Sequence, residues 1–141
     1  MTNHETARAL WGQSLHIRAS ELADDLAKGS WNLCVRRSQE VVELALKAVL
    51  RFICLDYPKR HDVADLFRDA ARQKSLPLDP QAIEAIRRIS KDLSEQRGLA
   101  FYMEKEFGRD EAVRAVESAD AVLQALQSLL PPDWSKSVQG S

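Results

Sequence analysis

The sequence predicts an all-α protein, folded as an up-and-down bundle of four to five helices. Apolar residues recur at every third or fourth position through most of the 141 residues, and no stretch shows the alternation of a β-strand. The 5 glycines and 5 prolines are few, and they fall at the breaks between these stretches. A hydrophobic content of 45% is enough for one buried core, so we expect a single domain over residues 1–132.

Composition argues against several classes of protein. The 20 basic and 21 acidic residues leave a net charge of −1, which provides no broad basic surface for a long nucleic acid. No apolar run reaches the roughly 18 residues that cross a bilayer, and the first residues do not resemble a signal peptide, so we expect a soluble, cytoplasmic protein. Cys34 and Cys54 would lie roughly 30 Å apart on one helix. We expect both to be free, buried thiols.

The first helix is predicted over residues 5–28, followed by Gly29 as its terminator. A second helix begins after Ser30, which we expect to be its N-cap, and it ends before Pro58. Two heptad-spaced apolar stripes make this second helix apolar over most of its circumference. It therefore needs neighbours on several sides, either from its own chain or from a second copy, and we take it as the central helix.

A charged strip runs along the central helix, and it consists of Arg36, Glu40, Glu43, Lys47 and Arg51. At i,i+4 spacing, Arg36 is placed to meet Glu40, and Glu43 is placed to meet Lys47. Glu43 and Lys47 could work as an acid–base pair. Such pairs are most often surface salt bridges worth about 0.2–0.5 kcal/mol, so we interpret this one as a structural pair.

A short basic segment, Lys59, Arg60 and His61, follows the central helix and precedes a third helix predicted over residues 62–73. Two interpretations of His61 remain open. It could cap or pack at the start of the third helix. Alternatively, Lys59, Arg60 and the free backbone N–H groups of this helix start could form a small anion site that holds a phosphate.

The fourth helix is predicted over residues 80–96, with Asp79 as its N-cap and Pro80 at its first position. The next position of its apolar stripe is Arg97. An arginine at this place can bond the last carbonyls of its helix or spread its stem over apolar surface. It can also line a pocket or an interface, and all three roles remain open.

The chain after Gly98 is predicted to leave the helix and form an aromatic-rich link over residues 99–107. Its aromatic side chains, which could pack over the bundle end or stack on a base, are Phe101, Tyr102 and Phe107. The last helix is predicted over residues 111–130, opened by Asp110. Residues 133–141 are mostly polar, and we expect a mobile tail.

Common enzyme signatures are missing from the sequence. It contains no glycine-rich phosphate loop, no HExxH, no Cys-x-x-Cys, no Gly-x-Ser-x-Gly elbow and no EF-hand spacing. The three histidines, His4, His16 and His61, lie in separate segments, and no spacing of ligands proposes a metal site. We therefore expect neither a metal nor a cofactor.

These features, taken in order over about residues 7–130, resemble the HEPN family of helical domains. The matching parts are the first amphipathic helix, Trp31-Asn32, Gln39, Glu43 and Lys47-Ala48 within SQEVVELALKAVL, His61-Asp62, Arg97 close to Phe101-Tyr102, and the alanine-rich last helix. The resemblance implies a HEPN-like bundle of four to five helices that commonly forms a homodimer. It also implies two roles: some members pair with a minimal nucleotidyltransferase, and others are metal-independent ribonucleases of toxin–antitoxin and antiviral systems.

The sequence departs from the nuclease branch of that family, in which arginine is followed by four to six residues and then histidine. Arg97 matches the arginine, but the places of the histidine hold Tyr102, Met103 and Glu104, and no histidine follows His61. A positioned acid or base contributes about 10²- to 10⁴-fold to such a reaction. Because a phenol loses its proton only at about pH 10, tyrosine replaces imidazole poorly, and we expect no ribonuclease activity.

The resemblance and the missing histidine together predict a non-catalytic HEPN protein that forms a dimer and binds a nucleotide, a partner minimal nucleotidyltransferase, or both. The expected ligand contacts are Lys59, Arg60, His61, Arg97 and Tyr102. Arginine suits this role because its planar fork binds two phosphate oxygens at once. Two alternatives remain open: a ribonuclease toxin with a degenerate motif near Arg97, which alone would act on RNA, and a purely structural dimerisation module.

Overall fold

A computed structural model describes residues 1–57 and 62–139, and all regular structure within these ranges is helical. In chain order the elements are α1 (Asn3–Ile17), a π-helical turn (Arg18–Leu22), α2 (Ala23–Lys28), α3 (Trp31–Phe52), α4 (Ala64–Gln73), α5 (Pro80–Phe101), α6 (Arg109–Gln127) and α7 (Asp133–Gln139). The fold class is the predicted all-α helical bundle. None of the described helices is long and apolar enough to cross a membrane.

Helix α3 is the axis of the bundle, and it packs against α1, α5 and α6, while α4 packs mainly on α5. Its apolar residues Val41, Leu46 and Val49 are fully buried. The chain's own helices therefore cover the wide apolar surface of α3. That surface needs no second copy to be buried, which resolves one of the alternatives that the sequence left open.

The first predicted helix is present but contains a π-helical turn in the middle. Within this turn Arg18 forms a bidentate ion pair with Asp120 of α6, with Nε to Oδ1 at 2.6 Å and Nη2 to Oδ2 at 3.0 Å. The helix ends at Gly29, whose φ of 72° lies in the left-handed region that favours glycine. The ion pair connects the π-helical turn to α6.

Several helix ends differ from the sequence predictions. Ser30 precedes α3 as predicted, but its side chain makes no capping hydrogen bond. Helix α5 continues through Gly98 as far as Phe101, and the burial of Ala100 offsets the roughly 1 kcal/mol helix penalty of glycine. The N-cap of α6 is Gly108 rather than Asp110.

Residues 133–139, for which the sequence predicts a mobile tail, form α7. Trp134 is only 5% exposed and lies edge-on to the rings of His4 and Phe52, at centroid distances of 5.1 and 5.5 Å. The indole of Trp11 also donates a hydrogen bond to Ser135 Oγ at 3.1 Å. The burial of Trp134 and the hydrogen bond from Trp11 together hold this short helix against α1.

The two cysteines are free, as predicted, but only Cys34 is buried. Cys54 is exposed because it lies in the turn after α3, where its φ is 62°. Burial raises the pKa of the Cys34 thiol to about 11, so this thiol stays protonated at neutral pH. Cys34 therefore acts as a small apolar core residue.

An ion-pair network joins α4 to α5 through Asp65. This carboxylate accepts hydrogen bonds from Arg87 Nε at 2.8 Å and from Lys91 Nζ at 3.1 Å. These two bonds lower the pKa of Asp65 from 3.8 to about 2. Because a lowered pKa means that folding favours the charged form, the stabilisation is present above about pH 4 and is lost as the pH falls towards 2.

Replacing Asp65 by asparagine is expected to remove this part of the acid dependence of stability. The side chain is 47% exposed, so the loss at neutral pH should stay below about 1 kcal/mol. Urea unfolding between about pH 2 and pH 7 measures it: the variant should be less stable than the wild type at neutral pH and should match it near pH 2. Asp92→Asn, at an exposed site on α5, is the control. A deficit of equal size at both ends of this range would contradict the assignment.

Candidate functional site

Arg97 lies in the last turns of α5, and its side chain lines two neighbouring cavities. The first, which we call the aromatic cleft, has a volume of about 380 Å³ and is lined by Ser94, Arg97, Gly98, Phe101 and Tyr102. The second cavity has a volume of about 250 Å³ and is lined by Gln13, Ile17, Glu40, Glu43, Leu44 and Arg97. Arg97 is therefore at the boundary between an aromatic site and a polar one.

The guanidinium of Arg97 has an unfilled hydrogen-bonding capacity. Its Nε is buried and makes no hydrogen bond within the described residues, and the buried Oγ of Ser94, one turn earlier, also has no partner there. In folded proteins most buried donors have an acceptor, and arginine carries five N–H donors and no acceptor. Arg97 Nε therefore does not bond the last carbonyls of its own helix. The arrangement suits an anionic ligand.

Two exposed aromatic rings form one wall of the aromatic cleft. Phe101 is 50% exposed and Tyr102 is 70% exposed, and their rings pack edge-to-face with centroids 5.0 Å apart. Half or more of each side chain is therefore exposed to solvent.

Arg36 is a second cation at this site, and the sequence did not single it out as a site residue. Its guanidinium carbon lies 4.8 Å from the ring centroid of Phe101. The expected partner of Arg36, Glu40, instead accepts two hydrogen bonds from Arg37 Nη1, at 3.1 and 3.2 Å. No spacing along the chain indicates the Arg36–Phe101 contact, because it arises only from the packing of α3 against α5.

The pair of Glu43 and Lys47 is more buried than a surface salt bridge. Lys47 Nζ lies 2.7 Å from Glu43 Oε2, and the two side chains are 12% and 14% exposed. The other carboxylate oxygen of Glu43 accepts a hydrogen bond from Gln39 Nε2 at 3.1 Å. Both oxygens thus have partners, an arrangement that suits a structural pair better than a general base.

At the far end of the charged strip, Lys47 and Arg51 both approach the ring of Tyr57, at 5.4 and 5.1 Å from its centroid. Lys59, Arg60 and His61, which the sequence proposed as ligand contacts, lie outside the described residues. Of the five proposed contacts, the structure thus describes Arg97 and Tyr102, and it places both in the aromatic cleft. The involvement of the other three stays a prediction.

The described residues contain no group of three or more histidine, cysteine, aspartate or glutamate side chains that could hold a metal ion. The residues that line the aromatic cleft offer instead one guanidinium, a serine hydroxyl and two exposed aromatic side chains, and a second guanidinium, that of Arg36, lies over Phe101. Guanidinium groups bind phosphate, and aromatic rings stack on bases. The chemistry of the cleft is therefore that of binding an anion attached to a planar group.

Comparison with known proteins agrees with the family resemblance. The family model described as "HEPN domain" matches residues 18–129 of the chain. Neither the curated proteins nor the solved structures contain a match to this chain. The matched segment runs from the π-helical turn to just beyond the end of α6, so α1 and α7 lie outside it.

Proposed function

The chain belongs to the HEPN domain family, and on that premise we propose that it is a non-catalytic member that binds a nucleotide in the aromatic cleft. The observation that carries this proposal is the buried, unpartnered Nε of Arg97 beside two exposed aromatic rings. In this arrangement Arg97 and Arg36 hold the phosphate groups, and Phe101 or Tyr102 stacks on the base. The cleft volume of about 380 Å³ falls within the usual range of small-ligand sites.

The residues around the cleft support the non-catalytic part of the proposal. No histidine follows His61 in the sequence, and the carboxylate of Glu43 is bonded to Lys47 and Gln39. The described part of the cleft therefore offers cations and aromatic rings, but it offers no imidazole and no unbonded carboxylate that could act as the base of RNA cleavage. This favours a binding role over the ribonuclease alternative.

Isothermal titration calorimetry with ATP, GTP, AMP and tripolyphosphate tests the proposal. We expect saturable binding of at least one nucleotide, and we expect it to be tighter than binding of tripolyphosphate because the base adds stacking. The absence of heat with every nucleotide would contradict nucleotide binding.

The ribonuclease alternative has its own test. Purified protein should leave single-stranded RNA intact in the presence of a metal chelator. Cleavage that disappears in Arg97→Ala would show that the protein is an active nuclease despite the missing histidine.

Dimer formation and binding of a partner minimal nucleotidyltransferase are the second half of the proposal. They are supported by the exposed apolar side chains at the end of α5, since Phe101, Tyr102 and Met103 are 50%, 70% and 63% exposed. Exposed apolar groups of this kind mark surfaces that contact other molecules. Analytical ultracentrifugation at micromolar concentration should find a dimer, and a monomer at all concentrations would contradict this half.

A further inference from the structure

Asn32, in the first turn of α3, binds the chain segment that follows the aromatic cleft. Its Nδ2 donates to the carbonyl oxygens of Lys105 at 2.9 Å and Ala100 at 3.3 Å. Its Oδ1 accepts a hydrogen bond from the backbone N–H of Phe107 at 2.8 Å. Two carbonyls on one side and an N–H on the other allow only one orientation of the amide, so Asn32 is specifically matched to this turn.

Backbone hydrogen bonds from residues 102–105 to the last carbonyls of α5 form the turn, and Asn32 supplies side-chain hydrogen bonds that join this turn to α3. Residues 102–106 form no regular structure, and Met103 adopts a φ of 55°, which is unfavourable for a side chain other than glycine. Phe101 and Tyr102 are exposed, so burial does not fix their rings. The buried anchors of the segment are Ala100 before it and Phe107 after it, and Asn32 is bonded to the backbone of both.

The polar groups of the cleft and its aromatic wall therefore depend on Asn32 to different degrees. Arg97 and Ser94 lie within α5, and Arg36 lies within α3, so regular helix positions these polar groups. Tyr102 is the first residue beyond α5, and it directly precedes the turn that Asn32 binds. Loss of Asn32 should free the turn that contains Tyr102 to move relative to α3, and should leave Arg97 in place within α5.

We propose that Asn32 is a positioning residue that holds the aromatic wall of the cleft and so sets how strongly the base of a bound nucleotide contributes to affinity. The nucleotide in this proposal is taken from the proposed function. The structural half of the proposal, that Asn32 orders Tyr102, does not depend on that function. The proposal requires that Asn32 order Tyr102 in the free protein, and that it affect base recognition without affecting phosphate recognition.

Spectroscopy of the free protein tests the structural half. The protein contains two tyrosines, Tyr57 and Tyr102, so fluorotyrosine labelling gives two ¹⁹F signals, and Tyr102→Phe identifies one of them. In Asn32→Ala the Tyr102 signal should move towards the position and width of a mobile residue. The Tyr57 signal, from the far end of α3, should not change. An unchanged Tyr102 signal would overturn the proposal, whether or not the protein binds nucleotides.

Calorimetry with ATP and tripolyphosphate tests the functional half. Stacking of one base is worth about 1–3 kcal/mol, so Asn32→Ala should weaken ATP binding by about 5- to 150-fold while tripolyphosphate binds as it does to the wild type. An equal loss for both ligands would indicate general disruption of the fold and would overturn the positioning role. No binding of either ligand to the wild type would overturn the proposed function, and the ¹⁹F result would still decide whether Asn32 orders the wall.

Asn32→Asp provides a matched variant of nearly the same volume. The carboxylate still accepts from Phe107, but it places negative charge against two carbonyl oxygens and donates nothing. The affinity for ATP should therefore fall at neutral pH and recover, relative to the wild type, as the pH approaches about 4, where a protonated carboxyl can donate again. A variant that binds ATP like the wild type at neutral pH would overturn the proposal.

Discussion

Replacing Trp11 by alanine is expected to lower the free energy of unfolding by about 3–5 kcal/mol. Trp11 is completely buried in the core, and its Nε1 donates a hydrogen bond to Ser135 of α7. Alanine leaves a cavity at the contact of α1 with the bundle and removes the bond to α7. Since small domains are stable by only about 5–15 kcal/mol in total, the loss should be visible as a large drop in melting temperature.

Two milder variants separate the contributions of Trp11. Trp11→Phe keeps much of the apolar volume but loses the donor, and Ser135→Ala removes the acceptor alone. Each is expected to cost roughly 1 kcal/mol or a little more, well below the cost of Trp11→Ala. If Trp11→Ala proves no worse than Ser135→Ala in urea unfolding, the hydrogen bond and not the packing would be what matters at this position.

Replacing Arg97 by alanine is expected to weaken nucleotide binding by about 10- to 150-fold, because hydrogen bonds to a charged group are worth roughly 1.5–3 kcal/mol. The same loss should appear with tripolyphosphate, since Arg97 contacts the phosphate groups in our proposal. Arg97→Lys should bind with intermediate affinity, as it keeps the positive charge but loses the planar fork. Calorimetry measures the affinity of the wild type, Arg97→Ala and Arg97→Lys for the nucleotide and for tripolyphosphate.

Arg88→Ala is the matched control for this experiment. Arg88 lies on α5 but is exposed and does not line the aromatic cleft. Arg88→Ala removes the same charge from the same helix. Because Arg88 does not line the cleft, this variant should leave the affinity for nucleotides almost unchanged. If Arg88→Ala and Arg97→Ala weakened binding equally, the effect would come from net charge, and the aromatic cleft would not be the site.

Part of the candidate site could be predicted from the sequence. The sequence indicates Arg97 because it follows an apolar stripe, and Tyr102 because it lies in the aromatic-rich link where the nuclease branch of the family has histidine. Both line the aromatic cleft. Their role as ligand contacts stays a prediction, as does the role of Lys59, Arg60 and His61. Ser94 could also have been predicted as a neighbour of Arg97, since it lies three residues earlier on the same helix.

Arg36 and Asn32 could not have been assigned their contacts in the same way. Arg36 looked like a partner for Glu40, because i,i+4 spacing is the strongest local rule for charges on a helix. The structure pairs Glu40 with Arg37 and places Arg36 over Phe101. The carbonyls that Asn32 binds belong to a turn whose shape depends on Met103 taking a positive φ, which no sequence pattern indicates.

The sequence by itself determined the helical class, the central position of α3 and the absence of a histidine after His61, because periodicity and composition are local properties of the chain. Only tertiary packing decided that α3 is covered by its own chain, that Trp134 packs where α7 meets α1, and that Arg36 lies over Phe101. The physical reason is that periodicity shows which face of a helix is buried, but not which helix it faces. Those contacts join residues that are distant in sequence, and they form only when the whole core is packed.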